Sequence, residues 1–135
     1  MACTETYATL RIFSKNISPD EIGKILGVSA TEMIPLDPNS KYKSRREYNF
    51  WNLCSEGGID STDNLKHLRY LIDRLENKEG LLSELRKKGC DTDIFCYWSS
   101  TGQGGPYLDL KTMESLLKLG LEISWDMYFS GEDET

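Results

Sequence analysis

No stretch of this sequence stays apolar over the roughly 20 residues a helix needs to cross a bilayer. The four cysteines contain no CxxC pair and there is a single histidine, so the closely spaced ligand pairs of a structural zinc site are missing. The GxSxG turn of hydrolases, the GK[ST] end of a phosphate-binding loop and the DxDxDG pattern of a calcium loop are absent as well. Positive charge is scarce. Sixteen Lys+Arg stand against 22 Asp+Glu, for a net charge of −6 and a pI near 4.8. That balance works against non-specific nucleic-acid or anionic-membrane binding, so neither partner is expected. The segment from Met1 to Thr6 is polar and unlike a secretory signal, and a cytoplasmic location is expected. In that setting Cys3, Cys54, Cys90 and Cys96 are expected to be free thiols, with Cys54 and Cys96 inside apolar strand-like runs.

What the chain does have is a core. With 135 residues and 39% hydrophobic side chains, it is long and apolar enough for one domain over 1–135 without disulfide or metal staples. The ordered part is expected over about 5–130, followed by an acidic tail at 131–135.

Tyr7 to Phe13 alternates with period two and predicts a strand. Ser18, Pro19 and Glu21 form a capping box with proline at the first helical position. Ile22, Ile25 and Leu26 give the apolar stripe, and Gly27 the stop. A short strand over about Glu32 to Leu36 runs into Pro35, Asp37, Pro38, Asn39 and Ser40. Lys41 to Glu47 is the one strong basic cluster, read as a solvated loop. Tyr48 to Ser55 alternates again and is broken by Glu56, Gly57 and Gly58. A long helix is predicted from about Ser61 to Asn77, and Leu81, Leu82 and Leu85 mark another helical piece. Ile94 to Ser99 reads as a strand, and Asp109 caps a helix that stops at Gly120. Leu121 to Phe129 reads as the last, half-buried strand.

The order β-α-β-β-α-β-α-β places the chain in the α+β class. It predicts a ferredoxin-like β-α-β-β-α-β core with an added C-terminal α-β unit. The sheet is five-stranded, antiparallel or mixed, with helices on one face.

Several features in this order resemble one known family. An opening strand leads to Ser18-Pro19-Asp20-Glu21-Ile22 and Leu26-Gly27. Trp51 stands in the middle strand, and a leucine-rich helix runs from Leu65 to Leu75. Gly104-Gly105-Pro106, Leu119-Gly120-Leu121, Asp126 and Tyr128 follow. The chain resembles the bacterial domain-of-unknown-function 4279 family over roughly Tyr7 to Phe129. The resemblance implies the fold and carries no catalytic residues over.

Candidate sites are few. His67 lies one helical turn from Asp63, a spacing that can orient a base. No nucleophile stands at a recognisable position, so a surface or boundary histidine with a local partner is expected. Cys54 and Cys96 could meet across neighbouring strands. The segment Ser99 to Pro106 joins a strand to a helix and holds Gly102, Gln103, Gly104 and Gly105 between Trp98 and Tyr107. Its glycines can aim backbone N–H groups at an anion, although GxGxxG fails where Tyr107 stands. Tyr7, Phe13, Phe50, Trp51, Tyr97, Trp98, Trp125 and Tyr128 all fall in strands, and alternation turns some of them away from the helices.

Size, acidity, missing catalytic motifs and surplus aromatics point to a non-enzymatic binding protein. It would be a small acidic neutralising, immunity-type or inhibitor protein acting by protein–protein contact. The expected partner is another protein, basic in character, or a second copy as a homodimer. The contact residues read from the sequence are Trp98, Ser99, Gly102, Gln103, Gly104, Gly105, Tyr107, Trp125 and Asp126. The alternative is a small-molecule or anion sensor using the Ser99–Pro106 loop. An enzyme using His67 or a cysteine ranks third. No cofactor and no metal are expected.

Overall fold

The structure, a computed structural model, describes residues 3–130; the acidic tail at 131–135 lies outside the described residues. Ten elements follow in order: β1 (Cys3–Ser14), α1 (Pro19–Leu26), β2 (Glu32–Ile34), α2 (Lys43–Glu47), β3 (Asn49–Cys54), α3 (Asn64–Arg74), α4 (Glu79–Lys87), β4 (Asp91–Ser100), α5 (Leu110–Leu119) and β5 (Ile123–Phe129). The strands form one sheet in the order β2-β3-β1-β4-β5. β1 is antiparallel to both β3 and β4, and β2 is antiparallel to β3. That order and those directions are the split βαβ arrangement expected for β1 to β4. β5 then runs parallel to β4 at the edge, as the crossover through α5 requires. The chain is α+β, with a mixed five-stranded sheet.

Local signals set most boundaries. The Ser18 hydroxyl accepts from the Glu21 N–H at 3.2 Å, and the Asp109 carboxylate accepts from the Thr112 N–H at 2.8 Å. α5 ends on Gly120 at φ 72°, where a Cβ would also run into the Arg86 guanidinium.

Several elements differ from the sequence reading, β4 beginning at Asp91 rather than Ile94 and α3 ending at Arg74 rather than Asn77 among them, and three of the differences have a local cause. β1 begins at Cys3, because Cys3 to Thr6 pair with β4 on one side only, and a strand so placed needs no apolar alternation. α3 starts at Asn64, since the Asp63 carboxylate takes the Leu65 N–H at 3.0 Å while Ser61 caps the turn before it. The basic cluster folds in part into the exposed five-residue helix α2.

The core lies between the sheet and α1, α3, α4 and α5. Leu10, Ile12, Trp51, Leu53, Ile94 and Cys96 form its sheet side. Ile22, Leu26, Leu68, Leu71, Leu82, Leu85, Leu116 and Leu119 close it from the helices. Burying each such aliphatic side chain is worth about 1.5–3 kcal/mol. This layer leaves the other face of the sheet without helices packed on it.

Candidate functional site: the helix-free face of the sheet

Register and alternation fix what the helix-free face shows. Ile12 opposes Trp51, and Leu10 opposes both Leu53 and Ile94, so these residues point to the helices. Their neighbours in the chain point the other way and line up in rows across the strands. The first row holds Ile34, Phe50 and Phe13. The second holds Glu32, Asn52, Arg11 and Asp93. The third runs through Cys54, Thr9, Phe95 and Ser124, and the fourth through Tyr7, Tyr97 and Asp126. Ser99 and Tyr128 pair just beyond it.

In the polar row Arg11 and Asp93 neutralise each other, while Glu32 accepts from the Asn52 amide at 3.2 Å. Arg11 grips Asp93 with two bonds, Nε to Oδ1 at 2.9 Å and Nη2 to Oδ2 at 2.7 Å. Its guanidinium also lies 4.5 Å from the Phe95 ring centre and 5.4 Å from that of Phe13. This clamp is structural: the cation is already satisfied.

The tyrosine row is different. Tyr7 stacks on Tyr97 with ring centres 5.0 Å apart and planes at 18°. Tyr128 follows at 5.7 Å from Tyr97, tilted by 41°. Carboxylates surround it. Burial first, then the charges of Glu56, Cys54 and Glu5, push the Tyr7 hydroxyl above its ordinary pKa. The hydrogen bond to Asp126, and then its charge, do the same for Tyr128. Among the described residues the ion pairs are Arg11–Asp93, Lys24–Asp20, Lys88–Glu84 and Lys118–Glu79. None of them neutralises Glu5, Glu56 or Asp126. The row therefore combines ring faces with uncompensated negative charge.

Beside Tyr7 a cleft of about 500 Å³ opens where β3 has ended and the 56–62 loop begins. His67 forms part of its lining and is 2% exposed. The expectation of a surface or boundary histidine near Asp63 is corrected here. The Ser55 Oγ accepts from the Ala8 N–H at 2.9 Å and gives its own hydrogen to His67 Nδ1 at 2.6 Å. The His67 Nε2–H then donates to the Ser61 carbonyl at 2.8 Å, a tautomer assigned from this network. Ser55 is 0% exposed, so the pair joins the β3 end to α3 and offers no reachable nucleophile.

The cysteines separate as well. Cys54 pairs with Thr9 and Cys96 with Ala8, which puts them on opposite faces with β1 between. They do not meet, and all four described cysteines are free. Burial pushes the Cys96 thiol up to about 12, with the Asp93 charge adding to it. Cys54 Sγ accepts from Thr9 Oγ1 at 3.3 Å and from the Glu56 N–H at 3.4 Å. Among the described residues no group of three or more His, Cys, Asp or Glu is placed to hold a metal ion.

The contact residues read from the sequence split between three places. Asp126 and Ser99 join the tyrosine row. Trp98 is 1% exposed and turns to the helix side, where Phe129 lies 5.8 Å from it, and Trp125 is half-buried on the same side. Gly102, Gln103, Gly104 and Gly105 lie on the connection to α5, with Gly104 at φ 112°. Tyr107, exposed, is held through its backbone by Asn64, which accepts its N–H at 3.0 Å and donates to its carbonyl at 2.8 Å. The Asp109 carboxylate caps α5 where an anion would sit. Tyr7, Tyr97, Glu5 and Glu56 complete the row. The sequence reading did not group them, because nothing local in sequence joins residue 7 to residue 97.

No helix among the described residues is long and apolar enough to cross a membrane. No curated protein and no solved structure matches the chain. The arrangement from the start of β1 to the end of β5 is covered by one family model, Domain of unknown function (DUF4279), which matches residues 4–130, and the chain belongs to that family.

Proposed function

We infer that this chain works without catalysis, by binding a basic protein across the tyrosine end of its helix-free face. The observation that carries this reading is the row of Tyr7, Tyr97 and Tyr128 flanked by Glu5, Glu56 and Asp126, none of which has a cationic partner among the described ion pairs. Ring faces and carboxylates together attract ammonium and guanidinium groups, and tyrosine supplies contact area at low conformational cost. The charge of −6 steers such a partner from a distance. The buried Ser55–His67 pair supports a non-catalytic role, since its hydroxyl is already engaged. The finer reading is a neutralising or inhibitor protein that masks its partner's basic surface. The anion-sensor alternative has less support, because Asp109 fills the N-terminus of α5 with a negative charge of the chain's own.

The test is affinity capture from the source cells with the wild-type chain and with a Tyr97→Ser/Tyr128→Ser variant, at low and moderate salt. A stoichiometric basic protein held by the wild type, released by salt and lost with the variant, is the expected result. Equal capture by both chains, or none by either, contradicts the reading.

A further inference from the structure

β1 outruns β3. The last bonds between the two strands join Ala8 to Ser55: the Ala8 carbonyl accepts the Ser55 N–H at 2.9 Å, and the Ala8 N–H goes to Ser55 Oγ at 2.9 Å. The chain then turns back, with Gly58 and Ile59 both giving their N–H to the Ser55 carbonyl. Backbone groups of a strand alternate between its two edges. Thr6, two residues before Ala8, therefore points its N–H and C=O to the edge that β3 has left. β4 does not take them. Ile94 gives its N–H to the Glu122 carbonyl on the β5 side at 2.8 Å, and Trp98, which stands opposite Thr6, has the same parity as Ile94. What Thr6 gives β4 is its hydroxyl, which donates to the Tyr97 carbonyl at 2.7 Å. Thr6 is 4% exposed, yet among the described residues no group bonds to its N–H or C=O. Such groups are obligatory hydrogen-bonding partners.

These groups open on the cleft of about 500 Å³, which is lined by Thr4 to Tyr7 and by the 56–62 loop. Its volume lies within the range of about 300–1,000 Å³ usual for ligand sites. Glu5, Glu56 and Asp60 bring three carboxylates to the lining, and none of them belongs to an ion pair among the described residues. We propose that the cleft takes an extended, basic segment of another protein, which adds to β1 as a short strand in the line that β3 leaves. This rests on the reading of a basic partner given above and adds how that partner is held. Main-chain bonds to Thr6 supply the grip, and the carboxylates select the charge. Side chains of a strand alternate, so every second one of the segment falls on the helix-free side, beside Glu5, Glu56 and the Tyr7 ring, where lysine or arginine is favoured. A helical segment does not suit this edge, because its backbone groups are already bonded within the helix.

NMR titration of the isotope-labelled full chain with a short capped peptide alternating lysine and valine tests the proposal. Saturable binding is expected, with the Thr6 amide among the shifted signals and its hydrogen exchange slowed about tenfold or more. The same peptide N-methylated at every residue keeps the charge and loses the backbone donors, and should bind about tenfold more weakly. A glutamate–valine peptide should not bind. Glu5→Lys should weaken the lysine peptide by about tenfold, with thermal melting showing the fold intact. No saturable binding, equal binding of the N-methylated peptide, or shifts confined to Tyr97 and Tyr128 overturns the strand addition, and the last of these leaves the tyrosine row as the contact. Pairing at Thr6 that survives in Tyr97→Ser/Tyr128→Ser upholds the cleft and removes the row from the reading.

Discussion

The two faces of this sheet are made from alternate residues of the same strands, yet they follow different rules. The helix side presents Leu10, Ile12, Leu53 and Ile94, aliphatic side chains closed off from water by four helices. The other side presents tyrosines and phenylalanines around one clamped arginine, with carboxylates at its tyrosine end. One face stores stability. The other is half-exposed, so its residues contribute less to folding and remain accessible to a partner. Sequence pattern alone gives the alternation; what separates the two roles is which face the helices cover.

The sharpest way to break the comparison is to truncate one large ring on each face. Trp51→Ala empties a fully buried site and is expected to cost about 3–5 kcal/mol, read by chemical denaturation. Tyr97→Ser should cost no more than about 1 kcal/mol in the same assay, while abolishing partner capture.

A second effect, smaller than the tryptophan's, concerns the network that ties the faces' common edge together. His67→Ala leaves the buried Ser55 hydroxyl without its acceptor, and a loss of about 1–3 kcal/mol is expected, with the Tyr7–Tyr97 row intact by NMR.

The third prediction uses pH. The folded chain holds the Cys96 proton up to about 12, against an ordinary value of 9.0. Between those values the folded state binds more protons than the unfolded one, so stability falls as pH rises above 9. Melting curves of wild type and Cys96→Ala should therefore converge as pH climbs from 9 towards 11.

The smallest stability effect belongs to Tyr128→Ser, at the exposed end of the row. Its stability change should stay within about 0.5 kcal/mol, while partner binding weakens measurably by calorimetry.

Much of the fold was legible because its punctuation is local. Ser18, Gly27, Asp109 and Gly120 each act within four residues of themselves, and each does in the structure what its residue type predicts. The start of β1 was not legible, since Cys3, Glu5 and Thr6 pair on one side only, around an irregularity at Thr4, and carry no apolar rhythm. The site was less legible than the fold. Spacing on a helix tied His67 to Asp63, whereas the partner that matters, Ser55, comes from the end of β3. Cys54 and Cys96 sit on strands that are not neighbours, a fact only the order β3-β1-β4 reveals. Trp98 was within reach of sequence reasoning, because Ile94, Cys96 and Trp98 share one parity and therefore one face. Tyr7, Tyr97 and Tyr128 become a row only when β1, β4 and β5 are laid side by side.

Photo-cross-linking from the tyrosine row reports directly whether a partner sits on the helix-free face. A benzophenone side chain placed at position 97, and in a control chain at position 24 on the solvent side of α1, is irradiated in the source cells. One adduct is expected from position 97, to a basic protein, and none from position 24. An adduct from the control position alone, or none from position 97, would contradict it.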